Sequence, residues 1–543
     1  MKIFEIGLIV AVASGSPLEK AQPSGNAGLL KGEVVDADSG DLIEARVTIQ
    51  RNGGEWFFPR SAAENGTAIE YRRDRGRSVE MHTTLSAHPF EVNLPPGTYT
   101  LTGERGKEYL PTTKSIEVGS GTQEIQLRLK RWIDMASLGW YSGDTHVHRT
   151  PEELSNVMLA EDLNVAFPLT YWVWDAYKVP PLGEKDLHLE DPVGAVEIDP
   201  THVFYPLNTE YEITRVGGKP HVLGAFFVLN HKTPFAMGGP PVAPIAEKAH
   251  REGGLLELDK HNWPWSMMLV PVMGVDLYEL TNNHLWRTEF LFSDFGEPAP
   301  EYMNVETTAE GFTERGWMDF GFQNYYALLN CGFRLRPTAG TASGVHPVPL
   351  GFGRVYVHLT DGFSYDRWVD GLNAGRSFVT TGPMLFVELD GKDPGHRFEE
   401  TSGQATSHNL SGQVVSESPV SSIEIVRNGE VIQKIEPVNA SGSSGEYRNA
   451  FEEEIRAEES CWLAVRCFER IPGGRFRFAH TGPFYFEAAD KPLRPRKREV
   501  RFLVDRIEAQ IARNEGILSE VELEEYREAL ERYRSWEALA VGD

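Results

Sequence analysis

Apolar and polar residues are patterned in three different styles along this 543-residue chain. Between 28 and 133 the period is two. "KGEVVDADSGDLIEARVTIQ" gives two strands joined by Asp-Ser-Gly-Asp turn chemistry. "FEVNLPPGTYTLTGER" and "KSIEVGSGTQEIQLRLKR" add strands around Pro-Gly and Gly-Ser-Gly turns. A small antiparallel β-sandwich is predicted there. From 134 to 384 short apolar runs such as "HVLGAFFVLN", "GLLELDKH" and "GVDLYELTN" alternate with helical or looped stretches. "IAEKAHREGG" reads as a helix stopped by Gly253. Strand-helix alternation of this length predicts a barrel-like α/β domain, with site residues at the C-terminal ends of strands. Over 385–488 two-residue alternation returns in "SSIEIVRNGEVIQKIE", "CWLAVRCFER" and "FRFAHTGPFYFE", which predicts a second sandwich. From 489 to 543, Phe502, Leu503, Ile507 and Ile511 recur at helical spacing, and Gly516 breaks the run into two helices. They read as a solvated tail, with a docked hairpin as the other reading.

Residues 1–27 carry one Lys, an apolar run from Ile6 to Ala13 and then small residues, Pro and Ser. A possible signal peptide and linker are expected, hence a secreted or periplasmic protein and otherwise a cytoplasmic one. No other stretch approaches the ~20 apolar residues of a membrane-spanning helix. The net charge of −26, from 53 basic and 79 acidic residues, repels phosphate backbones and excludes a nucleic-acid partner. A small-molecule or carbohydrate-like substrate is expected instead. The three cysteines, Cys331, Cys461 and Cys467, form no disulfide framework. The last two are too far apart along one strand to bond, and all three read as small buried residues.

The chemistry concentrates in "YSGDTHVHRT", where His146 and His148 are one residue apart. Sixteen histidines produce about half an H-x-H pair by chance, so context decides its meaning. The preceding "MASLGWY" fits a strand, which puts positions i and i+2 on one face, within reach of one ion at ~2.0–2.1 Å. Further ligand-type residues occur at predicted strand ends: Glu210, Glu212, His221, His261, Glu279, His284 and His346. Asp144 is placed to orient an imidazole or to cap a turn. Tyr171, Trp172, Trp174, Trp263 and Trp265 flank these positions as cleft or core aromatics.

"SGDTHVHRT", "KPHVLG", "DKHNWP", "VDLYEL" and "GRSFVTTGPML", in that order, resemble the CehA/McbA branch of the polymerase and histidinol phosphatase (PHP) superfamily over 140–384. The Gly32-x-Val34 opening and "LPPGTYTL" resemble a carboxypeptidase-regulatory-like domain, and 385–488 an immunoglobulin-like one. The resemblance implies a distorted (β/α)7 barrel between two β-sandwiches. It implies metal ligands at His146, His148, Glu210, His221 and His261, with Glu212 sharing the Glu210 strand face. The cofactor would be one or two divalent ions, Zn²⁺, Mn²⁺ or Fe²⁺. Two family motifs are altered. "TDH" reads Thr170-Tyr171-Trp172, and "GSDAH" reads Gly340 to Gly344, "GTASG". The lost aspartate would have to be replaced by Glu279 or His346, the candidate catalytic residues. The implied activity is hydrolysis of an ester, amide, carbamate or phosphoester bond by metal-activated water, at a reduced site. The alternative is a non-catalytic exported scaffold that binds carbohydrate or protein on a degenerate barrel.

Overall fold

A computed structural model describes residues 27–183, 194–400 and 406–542. The signal-peptide reading of the N-terminus lies outside them. No helix among the described residues is long and apolar enough to cross a membrane.

The first sandwich stacks two sheets. One runs Arg60–Ser61, Phe90–Leu94, Gly28–Asp36, Thr122–Arg131, Tyr109–Leu110, and the other is built on Thr112–Val118, Gly97–Glu104, Ala45–Arg51, Ser78–Leu85 and Ala68–Arg75. Inward residues alternate as the pattern requires, and Leu30, Val34, Val47, Tyr99, Leu101 and Leu127 fill the space between the sheets. The sandwich is not wholly antiparallel, because Gly28–Asp36 and Thr122–Arg131 run parallel. These two strands begin and end the domain, so no hairpin forces them into opposite directions.

The middle of the chain contributes to two sheets. Trp140–Val147 lies between Val165–Pro168, parallel to it, and Arg354–His358, antiparallel to it. A second sheet orders Tyr171–Asp175, Thr209–Val216, Lys219–Leu229, Leu255–Leu258, Leu277–Thr281 and Arg336–Ala339. The chain passes from one sheet to the other between Pro168 and Tyr171. Backbone hydrogen bonds close the opposite seam, from Ala342 N to the His146 carbonyl (2.7 Å) and from His148 N to the Ser343 carbonyl (2.8 Å). Helices Pro151–Glu161, Ala243–Arg251, Ser266–Met273 and Glu314–Asn330 intervene between strands. The alternation is incomplete: Thr209–Val216 and Lys219–Leu229 form an antiparallel hairpin around Gly217-Gly218.

The later sandwich shares a sheet with this middle region. Ser377–Thr380 pairs with Arg475–Thr481, so hydrogen bonding continues from Trp140–Val147 through to Glu430–Ile435. A four-stranded sheet containing Met384–Leu389, Thr406–Ser416 and Tyr447–Ala457 covers it. Cys331, Cys461 and Cys467 are buried free thiols. The tail is not solvated. Helices Lys497–Asn514 and Glu520–Arg534 bury Phe502, Leu503 and Ile507 in the main core, and Tyr533 donates to the Met267 carbonyl at 2.7 Å.

Candidate metal centre

Every residue of the strand Trp140–Val147 is buried, and the two histidines stand at its C-terminal end. The chain turns immediately afterwards. Thr150 caps helix Pro151–Glu161 by accepting from Glu153 N, and Pro151 suits the first helical position. Asp144 secures the strand from below. Its carboxylate accepts from His146 N (3.1 Å), Thr341 N (3.2 Å), Thr341 Oγ1 (2.6 Å) and Gly351 N (2.9 Å). Burial pushes its pKa up to about 6 against those hydrogen bonds. Gly340 passes so close that a Cβ there would sit 2.3 Å from the His146 Cβ and 2.8 Å from the Glu279 carboxyl. Only glycine fits that position.

His146 is the hinge of two donor groups. Its Nε2 is 3.2 Å from His148 Nε2, which is 3.5 Å from Glu210 Oε2, and the three donors lie within 4.8 Å of one another. On the other side of the ring, Nδ1 is 3.1 Å from Glu279 Oε2 and 3.8 Å from Asp259 Oδ1. All five residues are buried. Donors that share one tetrahedral ion at ~2.0–2.1 Å are separated by about 3.3 Å. The His146–His148 and His148–Glu210 spacings match that requirement. The Glu279 side has a different chemistry: a carboxylate receiving the Nδ1 hydrogen of a ligand imidazole fixes the ring and leaves Nε2 free to coordinate.

The surrounding charge is arranged around these groups. Glu257 Oε1 accepts from Thr145 Oγ1 (2.8 Å) and Thr338 Oγ1 (2.7 Å), and burial pushes its pKa up to about 8. Burial, with Asp259 and Glu257 close by, raises Glu279 well above the usual carboxylate range. Lys260 pairs with Asp259 and stands 3.5 Å from Glu212 Oε1. Burial opposes its charge, but Asp259, Glu212 and Glu210 outweigh that effect and hold the ammonium charged. Glu212 also accepts from Trp172 Nε1 at 3.2 Å.

The structure brings His146, His148, Glu210 and Glu279 together. His221 and His261 are not in this cluster. His221 lies near the turn of the antiparallel hairpin, where its Nε2 meets Asn514 Oδ1 at 2.7 Å. Glu210 pairs with Phe227, six residues further along the same strand, so about 20 Å separates His221 from the Glu210 level. His261 follows the strand Leu255–Leu258 after a turn has begun, and strand alternation no longer sets its direction. Its ring packs among Tyr278, Trp317 and Phe320. Asp259 occupies the place beside His146 instead. His284 packs among Phe292, Phe295 and Trp317. His346 is half-buried against Trp286, and desolvation, then Arg75, His284 and His148, hold its pKa well below the usual imidazole value. Trp265 is core, whereas Trp172, Trp174 and Trp263 are half-buried.

Asp259, Lys260 and Glu257 were not singled out by sequence. The available signal was "GLLELDKH", three ionisable residues at alternate or adjacent positions in an apolar run, where burial without partners is costly.

No family model matches the chain, and no curated protein matches it. Among solved structures, a two-domain protein containing a predicted PHP-like metal-dependent phosphoesterase, from Bacteroides vulgatus ATCC 8482, aligns with 60% of this chain and 90% of its own. The identity is 11% and the TM-score 0.29. So loose a superposition carries no argument about fold or activity.

Proposed function

We propose that this chain is a metal-dependent hydrolase of the CehA/McbA type, with its ion held by His146 Nε2, His148 Nε2 and Glu210 Oε2. The observation that carries the reading is the 3.2 Å approach of two buried imidazole nitrogens beside a buried carboxylate oxygen. Two nitrogens and one oxygen, without sulfur, suit divalent zinc, manganese or iron. Three protein ligands with a further position open is the coordination of catalytic rather than structural zinc. Bound there, the ion supplies Lewis-acid polarisation of a carbonyl or phosphoryl group and a lowered pKa for water. Glu279 orients the His146 ring, and Asp144 fixes the strand beneath it. His346 is the proposed proton acceptor. Its support is its place in the loop that hydrogen-bonds the His148 backbone, with a lowered pKa that favours the neutral ring. The bond class (ester, amide, carbamate or phosphoester) and the small-molecule substrate follow from the sequence resemblance.

Metal content by mass spectrometry, on wild type and on the His146→Ala/His148→Ala double variant, tests this first. About one equivalent of transition metal in wild type, lost in the variant, with metal-dependent turnover in an ester and phosphoester screen, is the expected result. Absence of bound metal in both proteins after Zn²⁺ or Mn²⁺ is added overturns the reading and leaves the non-catalytic scaffold.

A further inference from the structure

The two donor groups at His146 look like places for two ions, yet they draw on opposite nitrogens of one ring. An imidazole that ligates through Nε2 retains its Nδ1 hydrogen, and Glu279 Oε2 is 3.1 Å away to receive it. Coordinating a second ion through Nδ1 would require an imidazolate and would break that hydrogen bond, so a second ion on that side would have to rest on the carboxylates of Asp259 and Glu279. The side of the cluster that faces Asp259 nevertheless needs positive charge. Asp259 and Glu279 are both completely buried, and burial of carboxylates without a counter-charge is expensive. Lys260 meets the need. Its ammonium pairs with Asp259 Oδ2, stands 3.5 Å from Glu212 Oε1 and lies 5.0 Å over the Trp263 ring. The lysine is positioned from its own backbone, whose carbonyl accepts from Ser266 Oγ and from Trp263 N.

We infer that Lys260 is the built-in second cation of this centre. It neutralises Asp259, a carboxylate on which a second divalent ion would have to rest, and so restricts the site to a single ion on the His146–His148–Glu210 side. This rests on the metal-centre reading above and deepens it. The ammonium carries one charge and three hydrogen-bond donors on a stem anchored by the turn at 260–266. It is therefore a positioning residue for Asp259 and, through Asp259 and Glu279, for the His146 ring.

Counting bound ions by native mass spectrometry, during titration of the full chain with Mn²⁺ or Zn²⁺, tests the inference without reference to activity. Wild type is expected to saturate with a single ion. Lys260→Met removes the charge and is expected to take up a second ion, while Lys260→Arg retains the charge and remains at one. Lys260→Gln replaces the Met variant if thermal melting shows the latter unfolded. A second ion on wild type overturns the role of Lys260 but leaves the metal centre standing. A neutral variant that stays folded and still saturates with one ion does the same. No ion on wild type removes both.

Discussion

The Nδ1 of His146 lies 3.1 Å from Oε2 of Glu279, with both side chains buried and the two residues 133 positions apart in sequence. Glu279 has a second fixed partner, since its Oε1 accepts from Asn283 N at 2.8 Å. The carboxyl is thus held at both oxygens and presents one of them to the ring.

Removing that acceptor is expected to lower metal affinity without removing a ligand. Partners of ligand imidazoles typically contribute ~10–100-fold to affinity. Glu279→Ala should weaken metal binding towards the upper end of that range. Glu279→Gln keeps an acceptor oxygen and should weaken it by about 10-fold or less. Calorimetric titration with Zn²⁺ measures both. Equal affinity in wild type and Glu279→Ala would show that the contact does no orienting.

The first sandwich reaches the same centre through Tyr71. Its hydroxyl donates to the His346 carbonyl at 2.5 Å and accepts from Gly344 N at 2.9 Å, while the Arg149 guanidinium lies 3.7 Å over its ring. The loop it clamps supplies the Ser343 carbonyl that receives His148 N. Tyr71→Phe keeps the ring and removes both hydrogen bonds, leaving the buried Gly344 amide unsatisfied while the His346 carbonyl keeps Val348 N at 2.8 Å. A loss of about 1–3 kcal/mol is expected in urea unfolding. Hydrogen exchange should rise across 341–348 specifically. Exchange unchanged in that loop would rule out the clamp.

Much of this organisation is legible in the sequence because alternation and turn chemistry are local properties. The strand that carries His146, the helix stopped near Gly253 and the two-residue period of both sandwiches are of that kind. What was not legible depends on direction and on distance. His221 has the right residue type, but its strand returns from a hairpin, and it therefore belongs to the far end of the sheet. His261 continues the two-residue period from Asp259 on paper, yet the strand has already ended at Leu258. The continuity of the later sandwich with the central sheet is set by the Phe378–Thr481 pairing, between strands a hundred residues apart. The helical spacing of Phe502, Leu503 and Ile507 is legible in the tail, but the core that receives them is assembled from distant parts of the chain, so the solvated reading does not hold.

The tail also closes a helix terminus. Glu525 Oε1 accepts from Val242 N and Ala243 N, each at 2.8 Å, where helix Ala243–Arg251 begins and has no side-chain cap of its own. Unsatisfied amides at a helix start and the helix dipole both favour a carboxylate there. Glu525→Ala is expected to destabilise the protein by about 1–2 kcal/mol, with Glu525→Gln intermediate because it keeps an acceptor. Urea unfolding of the three proteins provides the measurement. An alanine variant as stable as wild type would show that this cap contributes nothing to the docking of the tail.

Acid sensitivity has an identifiable contributor in His231. The residue is fully buried, with Nδ1 3.0 Å from the Thr233 carbonyl and Nε2 2.9 Å from Thr209 Oγ1. Burial, with Lys248 adding to it, depresses its pKa to about 4. The unfolded chain has an ordinary imidazole near ~6.5, so between the two values the unfolded state binds the extra proton and the folded state does not. Stability from this group is therefore complete above pH ~6.5 and declines as pH falls toward about 4, by on the order of 3 kcal/mol in all. His231→Gln keeps a donor and an acceptor but does not titrate. Its unfolding free energy should fall less steeply than that of wild type between pH 7 and 4. Parallel curves for the two proteins would place the acid sensitivity elsewhere, with His82 as the next candidate because burial depresses it to about 4 as well.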